Sequence, residues 1–319
     1  MEEIPVRGKG NHHMLKRGPS NTRITEAEAL DIVYHSDVED SLERMKEQGF
    51  VVFEGLLNTE EVAELRALMD ACGGDDEEYY KPGHYLKEQG DDDFRRFDKH
   101  FGPPFCLDDA FLKYTDQEPV IDVVEEVHGY GPRLIGGSVW ITGAGRYPMG
   151  LHIDYQPFGL PEDVASDPRV EIPIMISTLH YYLNDMYMDL GPTIVVEGSH
   201  RSGRVPDEDT SWNGKERKAL VCRAGDAMLF RSDIWHGALP NVSDERRYML
   251  QVHYGCAYVE RPFISPWKSR AFPEEYVDKC SDRQRRLLGE KQEGYHYPQG
   301  SYVSRQGFDY QGEGQWHQE

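Results

Sequence analysis

The chain has 319 residues, of which 38% are hydrophobic and 11% aromatic, and its formal net charge is −22. This length suits one large domain or two ordinary ones, and the composition excludes a chain that is disordered throughout. The acidic charge disfavours binding to a nucleic-acid backbone and argues mildly against a substrate that carries several phosphates.

Signals for secretion and membrane insertion are missing from the sequence. The N-terminus has neither the basic nor the apolar segment of a secretory signal, and no apolar run reaches the length of a membrane span. The five cysteines are scattered and form no Cys-x-x-Cys pair, which favours reduced thiols over disulfides or a zinc ribbon. We therefore expect a cytoplasmic protein that binds neither membranes nor nucleic acids. The sequence carries no signal for its oligomeric state.

After a polar arm over residues 1–30, the first part of the chain is predicted to be mainly helical. Gly49 is a typical helix stop. Asn58 and Thr59 are both suitable N-caps, because their side-chain oxygens accept hydrogen bonds from the first backbone amides of a helix. Apolar spacing and turn residues predict the following elements: a helix from 38 to 49, a strand at 50–53, a helix within 56–69, loops over 72–108 that partly cover a site, and a helix over 110–128.

From residue 132 onward the pattern changes to short apolar or alternating segments separated by Gly and Pro. Many short strands of this kind favour an antiparallel sandwich or barrel over alternating strands and helices. We predict a mainly β fold with flanking helices, built on a double-stranded β-helix, the jelly-roll core that cupins share. The predicted strands are 133–142, 149–155, 171–184, 191–197, 219–222, 226–231 and 246–258.

These elements predict one domain over residues 31–265, with a helical part at 38–128 and the jelly-roll core at 132–258. Residues 266–319 are polar and are predicted to form a C-terminal extension.

His152-Ile153-Asp154 is the tripeptide that carries most of the chemistry. On a strand, residues i and i+2 point the same way, so His152 and Asp154 are expected to project into one cavity. Two imidazoles and one carboxylate, with open positions left for reactants, are the ligands of non-haem Fe(II) oxygenases. Such a tripeptide alone is more often a chance match, so the prediction depends on what surrounds it.

Three further segments accompany the tripeptide. Gly191 begins a strand that runs into a Gly-Ser-His turn, and a second strand delivers His236, which lies 82 residues after Asp154 (236 − 154). Arg246 and Arg247 then open another strand. A guanidinium in this position is suited to hold a carboxylate through two hydrogen bonds.

In this order the residues resemble the phytanoyl-CoA dioxygenase-like family of Fe(II)/2-oxoglutarate oxygenases. The resemblance runs from Ser41 to about Pro262. It implies that His152, Asp154 and His236 bind the iron. It also implies that an arginine eleven residues beyond His236 (247 − 236), Arg247, binds the far carboxylate of 2-oxoglutarate.

Other side chains are weaker candidates for binding 2-oxoglutarate. Arg246 has the opposite strand parity and is the alternative to Arg247. Trp140 and Thr142 lie on the strand before the tripeptide, where the family often places co-substrate contacts, and Thr193 follows a Gly-Pro turn on another core strand. Three other histidines are not predicted to bind the metal. His180 and His253 are expected to be structural or pocket residues, and His200 is expected to stabilise its turn.

The resemblance implies a dioxygenase that uses Fe(II), 2-oxoglutarate and O2 to oxidise a C–H bond of a small metabolite or natural-product intermediate. Hydroxylation is the default outcome, with desaturation or oxidative cyclisation as alternatives. Asp154 disfavours a halogenase, because related halogenases have a small residue in place of the carboxylate.

Other functions stay open from the sequence: an acyl-CoA hydroxylase of the same family, a cupin-type metal-dependent hydrolase or isomerase, and a non-catalytic binding protein. The hydrolase or isomerase needs no arginine clamp, and the intact ligand set argues against the binding protein. Residues 72–108, 156–170 and 202–218 are expected to determine the substrate, but their sequences do not identify it.

Overall fold

Two β-sheets face each other in the computed structural model, which describes residues 27–34, 37–82, 95–129, 131–155, 159–257, 259 and 273–289. The described strands are β1 (Glu28–Ala29), β2 (Phe50–Phe53), β3 (Tyr80–Pro82), β4 (Arg95–Phe101), β5 (Arg133–Thr142), β6 (Met149–His152), β7 (Ile176–Tyr182), β8 (Thr193–Val195), β9 (Ser211–Trp212), β10 (Lys215–Glu216), β11 (Lys218–Ala219), β12 (Ala227–Arg231), β13 (His236–Ala238) and β14 (Arg247–Gly255).

The larger sheet has seven strands in the order β2-β12-β7-β14-β5-β4-β3, and the smaller has five in the order β1-β11-β8-β13-β6. Neighbouring strands are antiparallel throughout, except for the short β1–β11 pair. Strands far apart in sequence therefore lie side by side, as in a jelly roll. This confirms the predicted mainly β fold with flanking helices.

Apolar side chains pack on both faces of the larger sheet. Its outer face packs against helices in a large apolar cluster that includes Val51, Leu179, Leu250 and the helical residues Leu65 and Val123. Its inner face meets the smaller sheet in a second apolar cluster: Phe50, Val52, Tyr182, Met186, Leu190, Val195, Leu220, Cys222, Met228, Phe230, Ile234 and Met249.

The helices flank the sheets and begin where the sequence offers a cap. Asn58 forms a full capping box with Glu61, accepting hydrogen bonds from the amides of Glu60 and Glu61 while its own amide donates to the Glu61 carboxylate. Of the two predicted N-caps, Asn58 and Thr59, the structure confirms Asn58. The described α-helices are α1 (Val38–Glu47), α2 (Thr59–Cys72), α3 (Val120–His128), α4 (Glu162–Ala165), α5 (Glu274–Val277) and α6 (Asp282–Leu287). None of them is long and apolar enough to cross a bilayer.

Gly49 separates α1 from β2, as predicted. Its backbone adopts a φ of +93°, and a Cβ atom there would lie 2.8 Å from the Ile234 side chain. Only glycine combines this conformation with so close an approach.

Two predicted elements were wrong. Residues 95–101, expected to be loop, form β4, whose buried Lys99 pairs with Asp76 at 2.7 Å. Hydropathy does not reveal a buried strand whose charges are neutralised by distant partners. The helix predicted over 110–128 is a 3-10 segment (Asp109–Tyr114) followed by α3, and Pro119 separates them.

The C-terminal helix α6 packs on the domain. Leu287 is buried in the outer apolar cluster, and the side-chain amide of Gln284 donates to the Leu112 carbonyl at 2.9 Å. Arg283 pairs with Glu118 and Asp122. Most of the polar arm predicted at 1–30, and residues 266–272 and 290–319 of the predicted extension, lie outside the described residues.

Candidate metal centre

Three predicted ligands converge at the edge of the smaller sheet. His152 is the last residue of β6 and His236 the first of β13, and the two are register partners on adjacent antiparallel strands. Their ring centroids are 4.3 Å apart. The Asp154 carboxylate lies between them, 3.6 Å from Nε2 of His152 and 3.6 Å from Nε2 of His236. All three ligand atoms lie within 4.8 Å of one another.

The reason expected for this convergence was partly wrong. Strand β6 ends at His152, so strand alternation does not position Asp154. The chain bends instead, and the backbone amides of Asp154 and Tyr155 both donate to the Ser232 carbonyl, at 2.9 and 3.1 Å. The Ser232 hydroxyl in turn lies 3.1 Å from that of Thr178. Asp154 is thus held in place by Ser232, which directly follows β12 of the larger sheet. The tripeptide alone does not reveal this contact.

Both imidazoles present Nε2 to the centre of the cluster. Nδ1 of His152 lies 2.9 Å from the Gly150 carbonyl, and Nδ1 of His236 lies 3.1 Å from the Ile234 carbonyl. A carbonyl oxygen only accepts hydrogen bonds, so each Nδ1 carries the proton and each Nε2 keeps a lone pair when the ring is neutral. This second contact is what orients metal-binding histidines in proteins.

The electrostatics of the cluster suit a cation. Burial alone would raise the pKa of Asp154, but the two histidines outweigh it and hold that pKa well below the ordinary value. Burial opposes protonation of His236, yet the Asp154 carboxylate keeps the His236 pKa raised. The side chains of His152 and Asp154 are 36% and 35% exposed, whereas that of His236 is only 6% exposed. Two imidazole nitrogens and an ionised carboxylate, open on one side, form a donor set that fits Fe(II).

Arg247 is a buried cation that lacks an anion. It is 5% exposed and begins β14, and its guanidinium donates to the Gly191 carbonyl. Among the described residues its Nε has no hydrogen-bond partner, and neither has Oγ1 of Thr142, its register partner on β5. Burial lowers the pKa of Arg247 to about 10. Within the described residues no carboxylate forms an ion pair with it, which is an unfavourable state that a bound carboxylate would relieve.

Arg246, the alternative to Arg247, is already engaged by the protein. Its guanidinium pairs with Asp76 at 2.7 Å, lies 3.8 Å above the Phe97 ring and contacts the Tyr80 hydroxyl at 3.4 Å. Arg246 immediately precedes β14, and its guanidinium is bound by Asp76, whereas that of Arg247 is bound by the Gly191 carbonyl.

The other candidate co-substrate residues lie on strands that flank the interior. The Thr193 hydroxyl accepts a hydrogen bond from Tyr182 at 3.0 Å, and Gly191, two residues before Thr193, holds Arg247. Trp140 uses its indole N–H within the protein, donating to the Gln251 amide oxygen at 2.9 Å. The structure therefore associates Thr142 and Thr193 with Arg247, and Trp140 with Gln251.

Sequence reasoning missed Ser138, Gln251 and the Thr178–Ser232 contact. Strand parity offered a signal for Gln251, because residues 247, 249, 251 and 253 share one face of β14. His180 and His253, expected to be structural or pocket residues, lie on β7 and β14. His200 contacts the Lys46 carbonyl at 3.0 Å, as expected for a residue that stabilises a turn.

Comparison with protein families and curated proteins points to one group. A family model described as phytanoyl-CoA dioxygenase (PhyH) matches residues 45–249. An ectoine dioxygenase of Nocardia farcinica is 23% identical over 280 residues, which cover 78% of this chain and 88% of that protein. An uncharacterized protein of Mycobacterium tuberculosis is 25% identical over 141 residues, 42% of this chain and 50% of that protein, so the chain spans about half of its length.

Solved structures share the architecture. HygX from Streptomyces hygroscopicus, with nickel, 2-oxoglutarate and hygromycin B bound, has a TM-score of 0.54 at 16% identity, over 70% of this chain and 88% of that one. The epimerase SnoN, in complex with Fe3+, alpha ketoglutarate and nogalamycin RO, has a TM-score of 0.51 at 20% identity, over 77% and 96%. At these identities the likeness establishes the fold, and it confirms the predicted jelly-roll core.

Proposed function

Because this chain belongs to the phytanoyl-CoA dioxygenase family, we propose that it is an Fe(II)- and 2-oxoglutarate-dependent dioxygenase that oxidises a C–H bond of a small metabolite. The observation that carries this proposal is the convergence of His152, Asp154 and His236 in a protein whose Arg247 is buried without an anion among the described residues. Hydroxylation is the default outcome, with desaturation or oxidative cyclisation as alternatives.

His152 and His236 would bind the metal through Nε2, and Asp154 through its carboxylate. The Gly150 and Ile234 carbonyls hold the two rings in the required tautomer, and the Ser232 carbonyl holds the backbone of Asp154. When bound, Fe(II) supplies the activation of O2 that accompanies conversion of 2-oxoglutarate to succinate and CO2. The protein supplies a fixed arrangement of ligands and a position for each reactant.

Arg247 binds the far carboxylate of 2-oxoglutarate in this proposal. A guanidinium and a carboxylate form strong, directional hydrogen bonds, and burying the two as a pair costs less than burying either charge alone. Two hydroxyls complete the carboxylate site: that of Thr142, which has no partner in the described structure, and that of Thr193. Tyr182 donates to Thr193, so the proton of the Thr193 hydroxyl remains free to donate to the ligand.

The same arginine separates this function from its rivals. A cupin-type hydrolase or isomerase has no need of a buried cation to bind a carboxylate, and a guanidinium without an anion would only destabilise a protein that bound none. The described cysteines form no disulfide with one another, which supports a cytoplasmic location.

The test measures succinate release by mass spectrometry in the presence of O2, with Fe(II) and 2-oxoglutarate supplied together or singly. We expect release only when both are present, and none from His152→Ala or Asp154→Ala. Asp163→Ala, an exposed carboxylate change on α4, is the matched control and retains activity. Full activity of His152→Ala, or calorimetry that shows no binding of 2-oxoglutarate to the nickel-loaded protein, would refute the proposal.

A further inference from the structure

The inner face of the larger sheet carries a group of uncharged polar side chains, which we call the polar wall: Ser138, Trp140, His180, Gln251 and His253. Three adjacent strands contribute to it. Gln251 on β14 is the register partner of Ser138 on β5 and of His180 on β7. His253 pairs in the same way with Gly136 and Thr178. On β2 and β12 the same face is apolar.

The polar wall faces the metal centre. The His180 ring meets the Phe230 ring edge-on at 4.7 Å, and Phe230 lies 4.8 Å from the His236 ring. After burial, the charges of Asp154 and His236 contribute to the pKa of both His180 and His253. Side chains of the wall therefore lie across the interior from the proposed iron ligands, where a substrate would have to be.

The hydrogen atoms of the wall can be assigned from its donors. The Trp140 indole only donates, so the group 2.9 Å from it is the Gln251 oxygen, which also accepts from the Ser138 hydroxyl at 2.5 Å. The Gln251 nitrogen then lies 2.8 Å from Nε2 of His180, which must accept. His180 therefore carries its proton on Nδ1, towards the Tyr182 hydroxyl at 3.4 Å.

Two polar atoms of the wall are left over. One is the second N–H of the Gln251 nitrogen, whose first N–H is used by His180. The other is Nε2 of His253, because Nδ1 of that ring contacts the Thr178 hydroxyl at 2.9 Å. Neither has a protein partner within the part of the chain that the structure describes. Burial lowers the pKa of both His180 and His253, so their rings are neutral and the wall offers no charge to a ligand.

The sheet is open at these two atoms. β14 is the middle strand of the seven and is buried along its length except at Gln251 and His253, which are partly exposed. Opposite His253 the neighbouring strand has Gly136, where an added Cβ would contact the His253 ring at 3.5 Å. The absence of a side chain at Gly136 leaves room beside the His253 ring.

We propose that the substrate presents an uncharged hydroxyl or carbonyl oxygen to Gln251 and His253. This inference rests on the function proposed above. The free Gln251 N–H requires an acceptor, and an alkyl chain placed against it would leave it unpaired. Sites that hydrogen-bond a substrate group discriminate strongly against analogues that lack the group.

A panel of probes tests the substrate class. Succinate formation is measured with hydroxyl- and carbonyl-bearing metabolites, each paired with its deoxy counterpart, and with palmitoyl-CoA and phytanoyl-CoA. We expect stimulation by an oxygen-bearing member and a kcat/KM about 10- to 100-fold lower for its deoxy counterpart, the effect of one unpaired buried group. Stimulation by none of these oxygen-bearing probes, or an equal kcat/KM for an oxygen-bearing member and its deoxy counterpart, overturns the inference.

Variants of the wall locate the effect. Gln251→Met keeps the side-chain length but removes the N–H, and it should lower kcat/KM for the oxygen-bearing substrate about 10- to 100-fold while the deoxy counterpart changes little. Gln117→Met, the same change at a surface glutamine, is the matched control. If Gln251→Met does not fold, Gly136→Ala fills the space instead, since its Cβ makes only an ordinary contact. Equal losses for both members of a pair would overturn the inference.

The affinity for 2-oxoglutarate separates this inference from the function on which it rests. Gln251→Met and Gly136→Ala should bind 2-oxoglutarate to the nickel-loaded protein with the wild-type dissociation constant. If the wild type itself fails to bind 2-oxoglutarate, the proposed function fails. If it binds normally but shows no preference for oxygen-bearing probes, only the assignment of the polar wall fails.

Discussion

Replacing Arg247 with Met should weaken 2-oxoglutarate binding by at least about 30-fold and, at the same time, stabilise the protein without ligands. The two effects have one cause, the burial of a guanidinium that lacks an anion in the described structure. Because most substitutions of buried residues destabilise a protein, a gain in stability here would be a specific signature.

The magnitudes follow from the surroundings of Arg247. Burial lowers its pKa from 12.5 to about 10. At 1.36 kcal/mol per pKa unit, holding the charge at neutral pH costs about 3 kcal/mol. Met removes this cost but also loses the hydrogen bond from the guanidinium to the Gly191 carbonyl, worth about 1.5–3 kcal/mol because its donor is charged. The net expectation is a gain of up to about 2 kcal/mol in the free energy of unfolding.

The ligand-bound protein responds in the opposite direction. Removing one partner of a buried charge pair costs about 2–5 kcal/mol of binding free energy. That corresponds to a rise of about 30- to 5000-fold in the dissociation constant of 2-oxoglutarate. Both quantities are measurable, by urea unfolding without ligands and by calorimetric titration of the nickel-loaded protein.

Arg246→Met is the matched control, since it makes the same change one residue earlier on the opposite face. Arg246 and Asp76 are 32% and 41% exposed, so the loss of their ion pair should cost about 0.5–1 kcal/mol of stability. It should leave 2-oxoglutarate affinity unchanged. An Arg247→Met variant that binds 2-oxoglutarate within threefold of the wild type would refute the assignment, as would loss of binding in Arg246→Met.

Two further predictions concern stability. His128 is buried next to the Ser177 hydroxyl at 2.8 Å, and burial lowers its pKa to about 4. The unfolded chain therefore takes up the proton first, and stability that is complete above pH 6.5 is lost as the pH falls towards 4. When the pH is lowered from 7 to 5, the free energy of unfolding measured in urea should fall by about 2 kcal/mol less for His128→Gln than for the wild type. An equal fall in both proteins would contradict this. Asn58→Ala removes the capping box of α2 and should lower the free energy of unfolding by about 1 kcal/mol at pH 7, and an unchanged urea midpoint would exclude a stabilising cap.

Much of the fold could be predicted because its signals are local. A helix cap such as Asn58, a helix stop such as Gly49 and the strand at residues 50–53 each depend on neighbours within a few positions. β4 was missed for the opposite reason. Its buried charges, Lys99 and Asp98, are neutralised by Asp76 and Arg146, which lie more than 20 residues away in sequence.

The residues of the candidate site could be predicted from the sequence, whereas the contacts that orient them could not. Residue type and order sufficed to select His152, Asp154, His236 and Arg247, and all four stay predictions until ligands are bound. The contacts that orient them were not readable. Asp154 depends on the Ser232 carbonyl, and the two leftover atoms of the polar wall are identified only once Gln251 is seen between Trp140 and His180.

The sequence by itself determined which donor atoms are available and that a carboxylate, not a small residue, stands two positions after His152. Only the tertiary structure decided that Arg247 faces the interior while Arg246 pairs with Asp76, and that a polar surface lies opposite the metal ligands. The physical reason is that burial and hydrogen-bond satisfaction belong to groups brought together across sheets. A side chain's own sequence neighbours do not specify whether its charge or its last N–H will find a partner.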